Sequence, residues 1–270
     1  MNRWKGLLIC FLSVCSAVSA TDNLRLPDIR TLGMGGNGGA HSAFFNPALL
    51  GVQTSKSFRA DYYNRYRIKE LATLSAGLCL PNQLLPIGLH IASFGYDEYR
   101  ESLFRLSAGK QLSDNWSLGI GVQYALLQSE MFESDAARIS ADLGIVYQAS
   151  DNLSVGLSAI NFPSVTLNDE YVDAERLGTY LAELNVNWYI VDNVLLTGGL
   201  ANSKDTPFSA SAGMEYLPLD EFTLRAGIRT APLRPSLGAG YTFSGITVDV
   251  AMVYHPVLGV SLGLGLSYSF

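Results

Sequence analysis

Residues 258–270 read LGVSLGLGLSYSF: Leu258, Val260, Leu262, Leu264, Leu266, Tyr268 and Phe270 are apolar or aromatic, and every residue between them is Gly or Ser. A period of two is that of a strand with two unlike faces. The pattern runs through the chain. Trp116, Leu118, Ile120, Val122, Tyr124 and Leu126 alternate with Ser117, Gly119, Gly121, Gln123 and Ala125. Ile139, Ala141, Leu143, Ile145 and Tyr147 are set against Arg138, Ser140, Asp142, Gly144 and Gln148, and FTLRAGIR and ITVDVAMVY repeat the theme.

A soluble sandwich would bury the apolar faces and turn charged faces to water. Here the second face is rich in Gly and Ser, and only 16% of the chain is charged. The alternating runs also reach about nine to eleven residues or more, the length of a tilted membrane crossing. In lipid only a closed barrel pairs every backbone N–H and C=O. The sequence therefore predicts an all-β fold, a transmembrane antiparallel β-barrel with greasy side out and polar side in. Beyond the N-terminus no run of eighteen apolar residues occurs, which excludes a multi-helix membrane protein. A net charge of -6 argues against a nucleic-acid partner.

Breaks between runs alternate short and long. Short polar turns fall at Ser113–Asn115, Ser150–Asn152, Val191–Asn193, Pro218–Glu221 and Ser244–Gly245, rich in the residues that turns require. Longer, often acidic connections fall at Ser129–Asp135, Pro163–Arg176 and Thr230–Arg234. Counting between breaks gives about fourteen strands from Lys56 to Phe270, with about twelve as the alternative because the first three are irregular. Trp116, Tyr147, Trp188, Tyr216, Phe222, Phe243, Tyr268 and Phe270 lie beside the short turns, as an interfacial girdle would.

Residues 1–20 read as a cleaved secretory signal: Arg3 and Lys5, then an apolar stretch, then Val18 and Ala20 at the cleavage site. A lipoprotein reading at Cys15 is opposed by Val14. Cleavage leaves Cys79 alone, so neither an internal disulfide nor a cysteine metal cluster is expected. The expected organisation is a signal at 1–20, a separate segment at 21–55 and a barrel at 56–270, placed in a bacterial outer membrane.

Residues 21–55 do not alternate. Their centre is IRTLGMGGNGGAHSAFFNPALLG. The glycines permit tight irregular backbone, and no Lys-Ser/Thr follows to make a phosphate loop. Leu32, Gly33, Met34, Gly35, Asn46, Pro47, Ala48 and Leu49 resemble the LG-x-G…NPA hatch of the long-chain fatty-acid transporter family (FadL-like), a start shared by the PorV/PorQ-like proteins tied to type IX secretion. The resemblance implies a fourteen-strand barrel plugged by this hatch. It also implies that Leu264, Leu266, Tyr268 and Phe270 form a C-terminal signal read by the barrel-assembly machinery. Physics supports a plug, because a barrel of about fourteen strands is too wide for its own side chains to fill.

Short connections leave no length for the family's capture loops. The main expectation is therefore a non-catalytic PorV/PorQ-like secretion-associated or envelope scaffold, with a secretion-system component as partner. The alternative is a FadL-like passive transporter, with a small hydrophobic compound as ligand. His41, His90 and His255 have no catalytic or metal-binding spacing, so no enzyme and no cofactor are expected. Arg59, Asp61, Arg105, Arg138, Asp142, Glu183, Glu215, Arg225, Arg229 and Asp249 take the inward phase. They form either neutralising pairs that hold the plug or a polar path for a solute. Arg225 and Arg229, roughly 13 Å apart on one face, are the candidates to grip plug carbonyls or an anion.

Overall fold

The computed structural model describes residues 23–24, 28–37, 42–130, 134–168, 179–203 and 208–270. The expected signal at 1–20 and His41 lie outside them. A short helix α1 (Ile29–Gly33) and a 3-10 turn (Pro47–Val52) precede the strands. Strands β1 (Ser57–Asn64), β2 (Ala72–Leu80), β3 (Ile87–Tyr96), β4 (Tyr99–Gln111) and β5 (Trp116–Ser129) lead to β6 (Ala136–Ser150), β7 (Leu153–Ile160) and β8 (Ser164–Asn168). Then come β9 (Leu181–Val191), β10 (Val194–Ser203), β11 (Ser209–Leu219), β12 (Phe222–Arg229), β13 (Arg234–Phe243), β14 (Ile246–His255) and β15 (Gly259–Ser269).

These strands make one antiparallel sheet that closes on itself. The first strand seals against the last, from Ser57↔Ser269 to Asn64↔Leu262, and β1 pairs with β2 on its other edge. Pairing of β5 with β6 completes the circuit. β7 and β8 share one place in the wall. Both lie on β6, with β7 opposite Leu143–Ser150 and β8 opposite Ala137–Ser140. The wall therefore has fourteen places, the even number that lets antiparallel strands close.

Register decides the faces, since a period of two sends neighbours to opposite sides. Leu262 sits opposite Met252, and both are exposed; Gly265 sits opposite Asp249 and Asp61, which are buried. Leu262 is 47% exposed and Val248 41%, so no second sheet covers the apolar face. Buried residues lie on the inward face instead, among them Asp142, Gln123, Glu215 and Asp249. None of the described helices is long and apolar enough to cross a membrane, which bears on helices alone.

Two stretches differ from the sequence reading. Residues 163–176 were expected to be a connection, yet Ser164–Asn168 is β8. Its alternation is only five residues long and follows a proline, so the pattern is too short to stand out. The alternation suggests a first strand over Lys56–Tyr66 and a second over Ile68–Leu80, yet two 3-10 turns, Arg65–Arg67 and Lys69–Leu71, join β1 to β2. Tyr66 and Arg67 take φ 57 and 63, a left-handed turn that composition does not advertise in non-glycine residues.

Candidate functional site

The inward glycines are contact surfaces. A Cβ on Gly119 would lie 2.2 Å from Ala48 N, one on Gly109 2.2 Å from Pro47 O, and one on Gly144 2.1 Å from Asn46 Oδ1. On the other side of the lumen a Cβ on Gly213 would meet Met34 O at 2.3 Å, and one on Gly227 would meet Gly35 N at 2.2 Å. Gly77 receives the Phe44 ring and Gly263 the Ile29 side chain. Seven wall positions thus lack side chains where residues 29–35 and 44–51 approach. Residues 28–36 rest on β11 to β15 and β1, and residues 44–51 on β2 to β6.

The segment's own chemistry fixes it there. Asp28 caps α1, its Oδ1 accepting from Thr31 N at 2.9 Å. Gly35 and Gly36 then take φ 86 and 78, which no side chain adopts cheaply. Ser236 Oγ donates to Gly33 O at 3.1 Å and accepts from Gly35 N at 3.0 Å. Asn46 is fully buried. Its Oδ1 accepts from Ala48 N, which starts the 3-10 turn, and its Nδ2 donates to Ile145 O and Leu157 O at 3.3 and 3.4 Å. Asn46 therefore both caps its own turn and hydrogen-bonds two neighbouring wall strands.

Charges form two groups. In the first, Arg30 of α1 grips Glu215 with two hydrogen bonds of 2.6 and 2.8 Å. Glu215 accepts from Arg225 at 2.6 Å, Arg225 donates to Asp249 at 2.7 Å, Asp249 accepts from Arg59 at 3.0 Å, and Arg59 donates to Asp61 at 2.9 Å. This ladder crosses β11, β12, β14 and β1 and ends under the helix, where Asp61 accepts from Ile29 N at 3.4 Å. In the second group Arg105 Nε lies 2.9 Å from Asp142 Oδ2, while its Nη1 donates to Phe44 O and its Nη2 to Gln123 Oε1.

No family sequence model matches this chain, and no curated protein sequence does. Solved structures do. The CymD monoaromatic hydrocarbon channel superposes with a TM-score of 0.66 over 93% of this chain and 99% of CymD, at 15% identity. The Pseudomonas putida toluene transporter TodX gives 0.65 over 92% and 99%, at 12% identity. A Pseudomonas aeruginosa FadL homologue gives 0.64 over 90% and 98%, at 14% identity. The chain has the fold of FadL-type channels.

Within this FadL-type fold the sequence-predicted residues fall in distinct places. Gly33, Met34 and Gly35 rest against β11 to β13, Leu32 clusters with Tyr63 of β1 and Ala251 of β14, and Asn46, Pro47 and Ala48 rest against β4 to β6. Glu215, Arg225 and Asp249 share the first charge group; Arg105 and Asp142 share the second. Arg138 donates to Ser164 on β8. Glu183 is buried on β9 with Ser158 and Ala201 as its strand neighbours. Arg229 donates to Gly36 O at 3.4 Å and to Ser209 at 3.3 Å. Leu264, Leu266, Tyr268 and Phe270 are exposed on the outer face, and Phe270 N donates to Lys56 O at 2.9 Å.

Buried His90 stacks on Phe44, with centroids 4.8 Å apart, and its Nδ1 has no hydrogen-bond partner among the described residues. His255 ends β14 and accepts from Val257 N and Leu258 N. Among the described residues no His, Cys, Asp and Glu group could hold a metal ion. Sequence reasoning missed Arg30, Gln123 and Asn161. Arg30 lies outside any periodic run, and the other two are neutral residues among more conspicuous charges.

Proposed function

We propose that this protein is a non-catalytic outer-membrane barrel that passes small hydrophobic compounds passively, with residues 21–55 as its plug. The observation that carries the reading is the superposition on CymD and TodX along almost the whole of both chains. The exposed apolar outer face supports a membrane setting. On this reading residues 1–20 are the cleaved leader, and outer-membrane lipid and the barrel-assembly machinery are the partners. The PorV/PorQ-like scaffold expectation gains no support, because the neighbours are described as channels and a transporter; short loops alone had favoured it.

The lumen adds a chemical argument. On the inward face of β3 to β6, Ala92, Phe94, Leu103, Ala125, Leu127 and Ala136 form an apolar patch. Leu24 is packed into it. Such a lining favours an apolar solute over a sugar or an ion. The test is entry of toluene and of a polar solute of similar size into vesicles carrying the purified protein. Faster toluene entry with the sugar excluded is the expected result. Equal entry of both would make it a general pore, and no entry of either would remove the transport reading.

A further inference from the structure

The wall changes character at one residue. Asn161, directly after β7, takes φ 59, and Phe162 and Pro163 carry the chain on along β6, Phe162 N donating to Ala141 O and Ala141 N to Pro163 O, both at 2.9 Å. On the far side, β9 follows β7 up to Ile160↔Leu181. Past that point β8 pairs, among the described residues, with β6 alone. The Asn161 side chain occupies the place where the ladder stops. Its Nδ2 donates to Thr179 O at 3.1 Å, on the approach to β9. Its Oδ1 accepts from Gln123 Nε2 and from Ser140 Oγ, and its backbone N donates to Asp142 Oδ1 at 2.9 Å.

Those partners lead inward. Asp142 and Gln123 both meet Arg105, and Arg105 donates to Phe44 O of the N-terminal segment. Every member of the chain Thr179–Asn161–Asp142/Gln123–Arg105–Phe44 is joined to the next by a hydrogen bond or ion pair, and Asn161, Asp142, Gln123 and Arg105 are all under 8% exposed. Buried polar groups of this kind have few substitutes, so moving one leaves its partner unsatisfied.

We propose that Asn161 is a positioning residue that clasps the interrupted strand to the approach of β9, and that this clasp is mechanically tied to the plug through Asp142, Gln123 and Arg105. Displacing the plug at Phe44 releases Arg105 and loosens the wall at β8; loosening the wall releases the plug in return, because linkage is reciprocal. The inference gives the transport reading a coupled wall and plug, but its structural content does not need a solute.

The experiment is hydrogen exchange on the purified full chain in detergent. Asn161→Gly keeps the backbone angle and deletes the clasp. Arg105→Lys keeps a charge beside Asp142 but cannot hold three acceptors at fixed angles. Asn161→Gly should speed exchange about tenfold or more at the hydrogen-bonded amides of Phe45 and Asn46, which Asn161 does not touch. Arg105→Lys should do the same at 165–168. Changes confined to each mutation's own neighbourhood would overturn the coupling. If Asn161→Gly does not assemble, the Arg105→Lys arm decides alone. Coupled exchange with no toluene entry through the unaltered protein would leave the clasp standing and count against the transport reading.

Discussion

Leu262 and Ser261 are neighbours on β15 with opposite surroundings. Leu262 is half exposed on the outer face, whereas Ser261 is buried and its hydroxyl accepts from Tyr66 N at 3.0 Å. On the membrane reading Leu262→Arg places a charge in the apolar band and should cost about 2–4 kcal/mol, read from the denaturant midpoint of the barrel in detergent or lipid. An empty lumen would tolerate Ser261→Arg. The lumen at this position is occupied, so this change should cost about 1–3 kcal/mol through overpacking. A Ser261→Arg variant of unchanged stability would mean that the β1–β2 connection swings clear of the barrel mouth. Gly119 makes the same point from the wall. Gly119→Val puts carbon where the backbone of Pro47 and Ala48 lies, and neither side is a flexible side chain. Faster proteolysis within 42–53, with strand pairing unaltered, is the expected outcome.

At the scale of elements, α1 is too short to be stable alone. It is held by a capping carboxylate, by Ile29 and Met34 set into wall glycines, and by Arg30 on Glu215. The ladder behind Glu215 makes this anchorage depend on residues far from the helix. Asp249 is 1% exposed and takes hydrogen bonds from two arginines. Asp249→Asn leaves both short of a counter-charge in a buried site, which should cost about 3–5 kcal/mol in thermal or denaturant unfolding. Asp97, paired with Arg100 on an exposed turn, is the control, and Asp97→Asn should leave the midpoint unchanged. The contrast also marks what sequence could tell. Glu215, Arg225 and Asp249 hold the inward phase of long alternating runs, so their side of the wall was readable from period alone. Their partner Arg30 sits in five helical residues with no repeat, and nothing local says which strand it meets. Asn161 is a neutral residue before Phe-Pro, where the pattern ends, and its role rests on contacts with β6 and the approach to β9 that no local pattern encodes. The fold was legible because one face rule repeats along every strand; the site was not, because it is made between segments far apart in sequence.

For the molecule as a whole, the wall and the N-terminal segment are separable in one direction only on the proposed reading. Closure rests on strand pairs, β1 with β15 and β5 with β6 among them, and none of these pairs includes a residue before Ser57. The segment's described residues, by contrast, have little that could stand alone: five helical residues, a 3-10 turn, and contacts that end on the wall. Removing residues 21–55 should therefore leave an assembled barrel, since Glu215 keeps Arg225 and Asp61 keeps Arg59 when α1 is gone. On the proposed reading, what the deletion takes away is the filling. Gly109, Gly119, Gly144, Gly213 and Gly227 would then line open space, and a wall of this width with bare positions conducts. The measurement is single-channel conductance in a planar bilayer, full chain against deletion, with the unfolding midpoint taken alongside. A clear rise in conductance and a lower midpoint fit a plug that both blocks and braces. Unchanged conductance would show that these residues do not obstruct the lumen, and failure to assemble would show that the wall needs its filling to close.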